Sequence, residues 1–283
     1  MVNVKDYEYH VKPDWCIGCG NYAQWNSIKA ALAELNIEPH NVVIVSGIGC
    51  SGNMPEYIRA YGFHGLHGRL LPVASGIKFA NPNLTVIAYG GDGDGYYEGL
   101  NHLYHTAKRN VDIKYIVSDN EVFGLTTGQA SPTAPLGFIS KTTPPPEGSI
   151  EKPVNPLTLA LTAGATFVAR GFSGEIKHLQ TLIVEAIKHK GFALIDVISP
   201  CVTWNKIGTY GYYRERVYKL QGNDPTNFDQ AYKLASESKD KIPIGIFYKV
   251  EKPTYNELDP ILRKGPLVGR KTEIRRELLE EFY

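Results

Sequence analysis

Short apolar runs rich in β-branched residues alternate along the chain with longer stretches in which apolar residues recur at helical spacing. The short runs predict buried strands, which lie at residues 42–46, 85–89, 113–118, 166–170 and 193–198. The longer stretches predict helices over residues 21–36, 72–81, 96–109 and 175–190. Strands that alternate with helices predict an α/β fold with a mostly parallel sheet and helices on both of its faces.

Two regions depart from this alternation. Residues 131–156 are rich in proline and too long for a simple connection, so we expect an irregular segment that is either functional or mobile. From Cys201 onward the chain is aromatic and charged, without a clear strand pattern. These boundaries predict one α/β domain over residues 1–200 and an irregular C-terminal extension over residues 201–283.

The overall charge excludes some classes of partner. The 283 residues carry 30 basic and 29 acidic side chains, a balance that does not favour binding to nucleic acid or to an anionic membrane. No apolar run approaches the roughly 20 residues of a membrane span, and the N-terminus lacks the apolar core of a secretory signal. We therefore expect a cytoplasmic protein with no nucleic-acid partner and no membrane partner.

A glycine-rich loop after the first predicted strand admits two interpretations. Gly47, Gly49 and Gly52 spell G-x-G-x-x-G, the spacing of a dinucleotide-binding loop. That fold also needs an acidic residue about 20 positions later, at the end of the next strand. Here the loop runs into a stretch rich in glycine and histidine, where the pattern predicts no second strand. The dinucleotide interpretation is therefore disfavoured, and a plain turn leaves Cys50 unexplained.

A stronger signal lies at the ends of the next two predicted strands. The strand at 85–89 runs into GGDGDG, where glycines allow the backbone to approach a phosphate closely and Asp92 supplies a carboxylate. Asn120 follows the strand at 113–118 and adds an amide oxygen. Parallel strands end at one edge of a sheet, and the following helix directs its first amides there. Carboxylate, amide, carbonyl and diphosphate oxygens together suit Mg²⁺.

The four cysteines form a second set. Cys16 and Cys19 make a C-x-x-C turn, whereas Cys50 and Cys201 are distant in sequence. Four thiolates suit either zinc or an iron–sulfur cluster, and the residue types do not choose between them. A redox dithiol at the C-x-x-C turn is a third option, but it leaves two cysteines without a role.

Taken together, these motifs resemble the β subunits of the 2-oxoacid:ferredoxin oxidoreductases. The Gly-Asp-Gly turn with its following asparagine is similar to the thiamine diphosphate motif. The resemblance covers about the first 205 residues, because six segments occur in the family's order. They are WCIGCG (15–20), GIGCSG (47–52), HGLHGRLLPVASGIK (64–78), GDGD (91–94), DNEVFGLTTGQ (119–129) and SPCVTWN (199–205).

The resemblance implies a fold, a reaction and a set of cofactors. The fold would be that of a thiamine diphosphate-binding domain. The reaction would be the coenzyme A-dependent oxidative decarboxylation of 2-oxoacids, with electrons passing through one [4Fe–4S] cluster to a separate ferredoxin. The cluster ligands would be Cys16, Cys19, Cys50 and Cys201, and residues 201–283 would close the cluster site and pack on a partner. That partner would be an α subunit that supplies the pyrimidine pocket, with residues 131–156 and 202–215 as candidate contact surfaces.

The resemblance also assigns roles to individual residues. Asp92 and Asn120 would bind Mg²⁺ through their side chains, and Val122 through its carbonyl oxygen. His67 would contact the diphosphate or the reacting groups, which makes it the catalytic candidate. The residues that would line the thiamine diphosphate are Ile48, Gly49, Cys50, Ser51, Gly93, Asp94, Gly124 and Leu125.

Three other functions compete with this interpretation. One is a thiamine diphosphate decarboxylase or synthase subunit without redox chemistry, with the four cysteines on a structural zinc ion. Another is an NAD(P)-dependent dehydrogenase that uses the loop at 46–52. The third is an assembly subunit without catalytic function, whose glycine loops are ordinary turns. The identity of the 2-oxoacid stays open, because the partner is expected to build most of the substrate pocket.

Overall fold

The computed structural model describes residues 1–237, 240–271 and 277–280. Ten strands are present in the described part of the chain, eight of them in one sheet. They are β1 (Val42–Ser46), β2 (Tyr61–His64), β3 (Thr85–Gly91), β4 (Lys114–Asp119), β5 (Val122–Phe123), β6 (Gln129–Ala130), β7 (Phe167–Phe172), β8 (Ala193–Ile198), β9 (Val217–Lys219) and β10 (Ile242–Lys249).

The sheet order is β2-β1-β3-β4-β8-β7-β10-β9, and β5 and β6 pair separately as a small hairpin. Every pair in the large sheet is parallel except β7 with β10. The residues of β1 and β8 are buried throughout, as expected for central strands covered on both faces. The carboxyl ends of β1, β3 and β4 therefore meet at one edge of the sheet.

Helices cover both faces of the sheet and bury its apolar side chains. On one face, α1 and α5 pack against each other, and on the other lie α2, α3, α4 and α7. No helix in the described residues is long and apolar enough to cross a membrane. The helices are α1 (Gly20–Glu34), α2 (Leu70–Ala80), α3 (Leu100–Lys108), α4 (Pro156–Ala163), α5 (Ile176–Lys188), α6 (Tyr210–Arg214), α7 (Phe228–Ala235), α8 (Tyr255–Leu258) and α9 (Glu277–Glu280).

The five strands expected from the apolar runs are confirmed, and residues 131–155 contain no helix or strand of the sheet, with α4 beginning at Pro156. The helix expected from residue 96 starts only at Leu100, because a single π-helical turn at Asp94–Glu98 comes first. The expectation of no strand after the glycine loop is wrong, since β2 lies there and pairs with β1. The C-terminal region is more regular than its pattern indicates, since β9 and β10 extend the sheet. A domain boundary at residue 200 stays a prediction.

Candidate active site

A cleft at the carboxyl ends of β1, β3 and β4 gathers the residues of the predicted cofactor site. Its cavity volume is about 70 Å³. Its position matches the rule that open α/β sheets bind ligands beyond the carboxyl ends of their strands. The predicted residues that line it are Ile48, Gly49, Cys50, Ser51, His67, Asp92, Gly93, Asp94, Asn120, Val122, Gly124 and Leu125.

Asp92 follows β3 and is 2% exposed. Its Oδ2 accepts hydrogen bonds from the Ser131 hydroxyl at 2.6 Å, the Thr133 hydroxyl at 2.9 Å and the Glu121 amide at 2.9 Å. Burial raises the pKa of Asp92, and the two hydroxyl donors oppose that rise. The donors fix the orientation of the carboxylate at the wall of the cleft.

Ser131 and Thr133 belong to the candidate site through their hydrogen bonds to Asp92, and the sequence does not single them out. Both are buried, and the Thr133 hydroxyl also donates to Asp119 Oδ1 at 2.7 Å. They belong to the proline-rich segment 131–156, whose unusual length is the one signal of a role in the sequence. Their contact with Asp92 depends on the path of that segment across the sheet edge, which local sequence does not reveal.

Asn120 and Val122 both line the cleft, directly after β4 and at the start of β5. The Asn120 Oδ1 accepts the Val122 amide at 3.0 Å, and the Asn120 carbonyl accepts the Asn205 side-chain amide at 3.1 Å. Between them, Glu121 adopts a left-handed backbone conformation with φ of 64°. This tight turn returns the chain toward the cleft, so that the two oxygen-bearing residues face the space beside Asp92.

Asp94 ties two loops together. Its Oδ1 accepts the Ile48 amide at 2.9 Å and the Gly68 amide at 2.8 Å. Burial raises the pKa of Asp94, and the amides of Gly68 and Ile48 oppose the rise. Gly47 is required beside it, because a Cβ there would lie 2.1 Å from the Asp94 Oδ2. That Oδ2 is buried and has no hydrogen-bond partner among the described residues, as expected for an atom that faces a polar ligand.

His67 stands at the mouth of the cleft. Its side chain is 37% exposed, and its Nδ1 lies 3.4 Å from the Asp94 Oδ1, within ion-pair reach when the ring is protonated. The centroid of its imidazole ring lies 6.3 Å from the centroid of the Phe123 ring. The Nδ1 is buried and has no hydrogen-bond partner among the described residues, which leaves it available to a ligand in the cleft.

Phe123 forms the floor of the cleft and explains one of the glycines. A Cβ on Gly93 would lie 2.2 Å from the Phe123 ring. Glycine at this position therefore lets the aromatic ring lie flat against the turn after β3. The Phe123 and Tyr97 rings pack edge to face, with their centroids 6.4 Å apart.

The four cysteines converge from three loops, and none forms a disulfide. The Cys19 amide donates to the Cys16 carbonyl at 2.9 Å, which closes the C-x-x-C turn at the start of α1. Burial raises the pKa of Cys19 to about 12, and the nearby Cys50, Cys201 and Cys16 thiols add to the rise. In the described residues, no three His, Cys, Asp or Glu side chains are arranged to hold one metal ion.

Gly124 separates the cleft from two of the thiols. It lines the cleft, and a Cβ built on it would lie 3.6 Å from the Cys201 Sγ and 3.7 Å from the Cys50 Sγ. Cys50 itself also lines the cleft, and its carbonyl accepts the Trp15 indole N–H at 2.6 Å. The cleft and the group of thiols are therefore immediate neighbours.

Comparison with known proteins supports the same assignment. A model of the thiamine pyrophosphate enzyme C-terminal TPP-binding domain matches residues 47–197, and a model of the C-terminal part of the pyruvate ferredoxin oxidoreductase β subunit matches residues 201–264. The β subunit of a 2-oxoacid:ferredoxin oxidoreductase from Saccharolobus solfataricus is 49% identical, covering 84% of this chain and 82% of that protein. Its counterpart from a Sulfolobus species is 47% identical, covering 95% and 96%.

A solved structure resembles the whole fold. The 2-oxoglutarate:ferredoxin oxidoreductase from Magnetococcus marinus, with 2-oxoglutarate, coenzyme A and succinyl-CoA bound, matches with a TM-score of 0.91 and 39% identity. The match covers all of this chain and 96% of that one. These similarities do not favour a nicotinamide-dependent dehydrogenase or a subunit without redox chemistry. The chain belongs to the family of 2-oxoacid:ferredoxin oxidoreductase β subunits and is therefore part of an oxidoreductase that works with an α subunit.

Proposed function

We propose that this β subunit binds thiamine diphosphate with Mg²⁺ in the cleft and a [4Fe–4S] cluster on its four cysteines. In this role it would pass electrons from a 2-oxoacid to ferredoxin. The observation that carries the proposal is Gly124, which borders both the cleft and the Sγ atoms of Cys50 and Cys201. A cofactor in the cleft and a cluster on the thiols would be separated by little more than this backbone.

The residues at the cleft fit a magnesium diphosphate. Asp92 offers a carboxylate held in place by three donors, and Asn120 and Val122 offer an amide and a carbonyl oxygen, a set of hard ligands that suits Mg²⁺. The backbone at Ile48–Ser51 leaves room for the diphosphate, since a Cβ on Gly49 would meet nothing within 4 Å. When bound, thiamine diphosphate supplies the nucleophilic carbon that attacks the 2-oxoacid and retains its electrons after carbon dioxide leaves.

This chain's own residues would then position and protect the reaction. His67, with its Nδ1 3.4 Å from the Asp94 Oδ1, would hold or move a proton at the mouth of the cleft. Phe123 and Leu125 would exclude water from its floor and rim. The Ser131 and Thr133 hydroxyls hold the Asp92 carboxylate in one orientation. Its negative charge would therefore stay directed at the Mg²⁺ bound to the diphosphate.

The cysteines fit a cluster of several iron atoms. Cys16 and Cys19 come from one turn, and Cys50 and Cys201 approach from the other side. A redox role beside the cleft, expected of a ferredoxin oxidoreductase β subunit, favours an iron–sulfur cluster over a zinc ion on these four thiolates. An α subunit, coenzyme A and ferredoxin complete the proposed system, in line with the names and ligands of the relatives.

The test uses the complex purified without oxygen together with its α subunit. We expect iron and sulfide, the visible absorbance of an iron–sulfur protein, and 2-oxoacid-dependent reduction of ferredoxin that requires coenzyme A. Cys16→Ser, at the one proposed cluster ligand in the C-x-x-C turn that is exposed, should lose iron and absorbance, while Mg²⁺-dependent binding of thiamine diphosphate remains. A colourless complex with stoichiometric zinc would refute the cluster, and failure to bind thiamine diphosphate would refute the cleft assignment.

A further inference from the structure

The four cysteines differ in how far the protein covers them. Cys16 is exposed, whereas Cys19, Cys50 and Cys201 are partly covered. Beside Cys16, Ile17 forms the tip of the C-x-x-C turn and is 97% exposed. An apolar side chain this exposed, next to a cluster ligand, marks the side from which another molecule can come closest to the cluster.

A second exposed loop lies against this turn. The Thr203 hydroxyl donates to the Cys16 Sγ at 3.0 Å, and a Cβ on Gly18 would lie 3.6 Å from the Val202 side chain. Val202 is 37% exposed. Lys206 donates to the Val202 carbonyl at 3.2 Å, which brings a positive charge to the rim. Residues 16–18 with Val202, Thr203 and Lys206 make up one surface, here named the exit surface.

We propose that the exit surface is where ferredoxin docks and that electrons leave through the Cys16 side of the cluster. This inference rests on the proposed function. Oxidation of the 2-oxoacid with coenzyme A yields acyl-CoA, carbon dioxide, one proton and two electrons. The cluster takes up one electron at a time and reduces one ferredoxin each time, so two oxidised ferredoxins are consumed per turnover.

The chemistry of the exit surface suits a small electron carrier. Electron-transfer complexes are brief encounters with small interfaces, which need a compact apolar centre and a charged rim. Ile17 and Val202 supply the centre, and Lys206 supplies a rim charge that attracts an acidic partner. Electron transfer slows steeply with distance, so a carrier gains most by docking at the least covered ligand. We assign residues 202–206, which the sequence places among the candidate contact surfaces for the α subunit, to ferredoxin instead, and expect the α subunit at the cleft.

The central variant is Ile17→Asp in the complete αβ complex, with Ile261→Asp as its matched control. Ile261 is 59% exposed and lies near the strand starts, because its segment packs on the end of α2. We expect Ile17→Asp to raise the KM for ferredoxin about tenfold, as when a central interface side chain is lost. Equilibrium binding of oxidised ferredoxin should weaken equally. Iron content, visible absorbance and the rate with methyl viologen should stay unchanged, as should all properties of the control.

A second variant tests the rim charge without touching the turn. Lys206→Glu should raise the KM for ferredoxin at low salt, and the difference from wild type should vanish at high salt. An unchanged KM and an unchanged binding constant in Ile17→Asp would overturn the proposal. A parallel loss of iron and of methyl viologen reduction would also overturn it, because Ile17 would then support the cluster itself. A wild-type complex without iron would refute the proposed function before any variant is compared.

Discussion

Asp92 and Asp94 lie two positions apart in the sequence but have different roles in the structure. Asp92 is held by hydroxyl groups and faces the cleft, whereas Asp94 joins the glycine loop to the turn at Gly68. The sequence predicts both as cofactor-site residues, which their position at the cleft supports. It does not predict the division between them, because that depends on which loops reach each carboxylate.

The role proposed for Asp92 predicts the effect of Asp92→Asn. The change keeps the shape of the side chain but removes the charge that would attract Mg²⁺. We expect Mg²⁺-dependent affinity for thiamine diphosphate to fall by more than about a hundredfold. Fluorescence titration with thiamine diphosphate at several Mg²⁺ concentrations measures this. Asp259→Asn, near the strand starts, is the control, and equal affinity in the two variants would contradict a metal role for Asp92.

The close packing of Gly47 against Asp94 predicts that a larger side chain at this position weakens both cofactor binding and stability. Gly47→Ala places a methyl group 2.1 Å from the Asp94 carboxylate and should displace the loop that it anchors. We expect weaker thiamine diphosphate binding and a loss of about 1–3 kcal/mol in the free energy of unfolding. Gly76→Ala is the matched control, because its Cβ meets nothing within 4 Å on the exposed face of α2. It should be neutral or stabilising by up to about 1 kcal/mol.

At the scale of elements, the sequence predicts the strands that are buried on both faces and misses those at the edges of the sheet or next to an edge, as β10 is. The buried strands form continuous β-branched runs, which need no knowledge of their neighbours. β2 is four residues long and exposed throughout, so no apolar pattern marks it. β10 pairs antiparallel with β7, and its register shifts between Ile246 and Tyr248, so alternation along the strand is broken. Strands at these positions form because of tertiary contacts, which the local pattern of apolar residues does not reveal.

The burial of His189 between α5 and β8 leads us to expect that the stability of the fold depends on pH. His189 ends α5, is 4% exposed, and lies with its Nε2 2.8 Å from the Thr166 hydroxyl. Burial lowers the pKa of His189 to about 4, and the Lys114 and Lys249 charges add to the effect. In the unfolded chain the pKa returns to about 6.5, so the unfolded state binds the proton more readily. The folded state therefore loses stability as the pH falls from about 6.5 to 4.

The contribution of His189 changes the free energy of unfolding by at most about 1.4 kcal/mol per pH unit. Urea unfolding of the purified protein at several pH values between these limits measures it. His189→Gln should remove this part of the slope, because glutamine does not titrate. His40→Gln, at an exposed position, should leave the slope as it is. A wild-type slope retained in His189→Gln would show that another group is responsible.

At the scale of the whole molecule, the site is built at one edge of the sheet and left open on one side. Leu125 lines the cleft and is 59% exposed, and an adjoining groove that shares Phe123 with the cleft is lined by Tyr97 at 63% and Ile150 at 79% exposure. A cluster of this kind, next to a polar cleft, is typical of a surface that a partner covers. The sequence predicts a missing pyrimidine pocket and names residues 131–156 as a contact surface, but the role of Leu125 at the rim emerges only from the fold.

Leu125→Asp should therefore weaken the association with the α subunit. The new charge would be buried without a partner when the complex forms, so we expect the dissociation constant to rise about tenfold or more. Sedimentation velocity of mixed subunits measures this, with Leu258→Asp as the control because Leu258 is 65% exposed near the strand starts. Since the pyrimidine pocket is expected from the α subunit, binding of thiamine diphosphate should weaken in step with assembly. An intact complex in which Leu125→Asp lowers only the reaction rate would place Leu125 against the substrate instead of the partner.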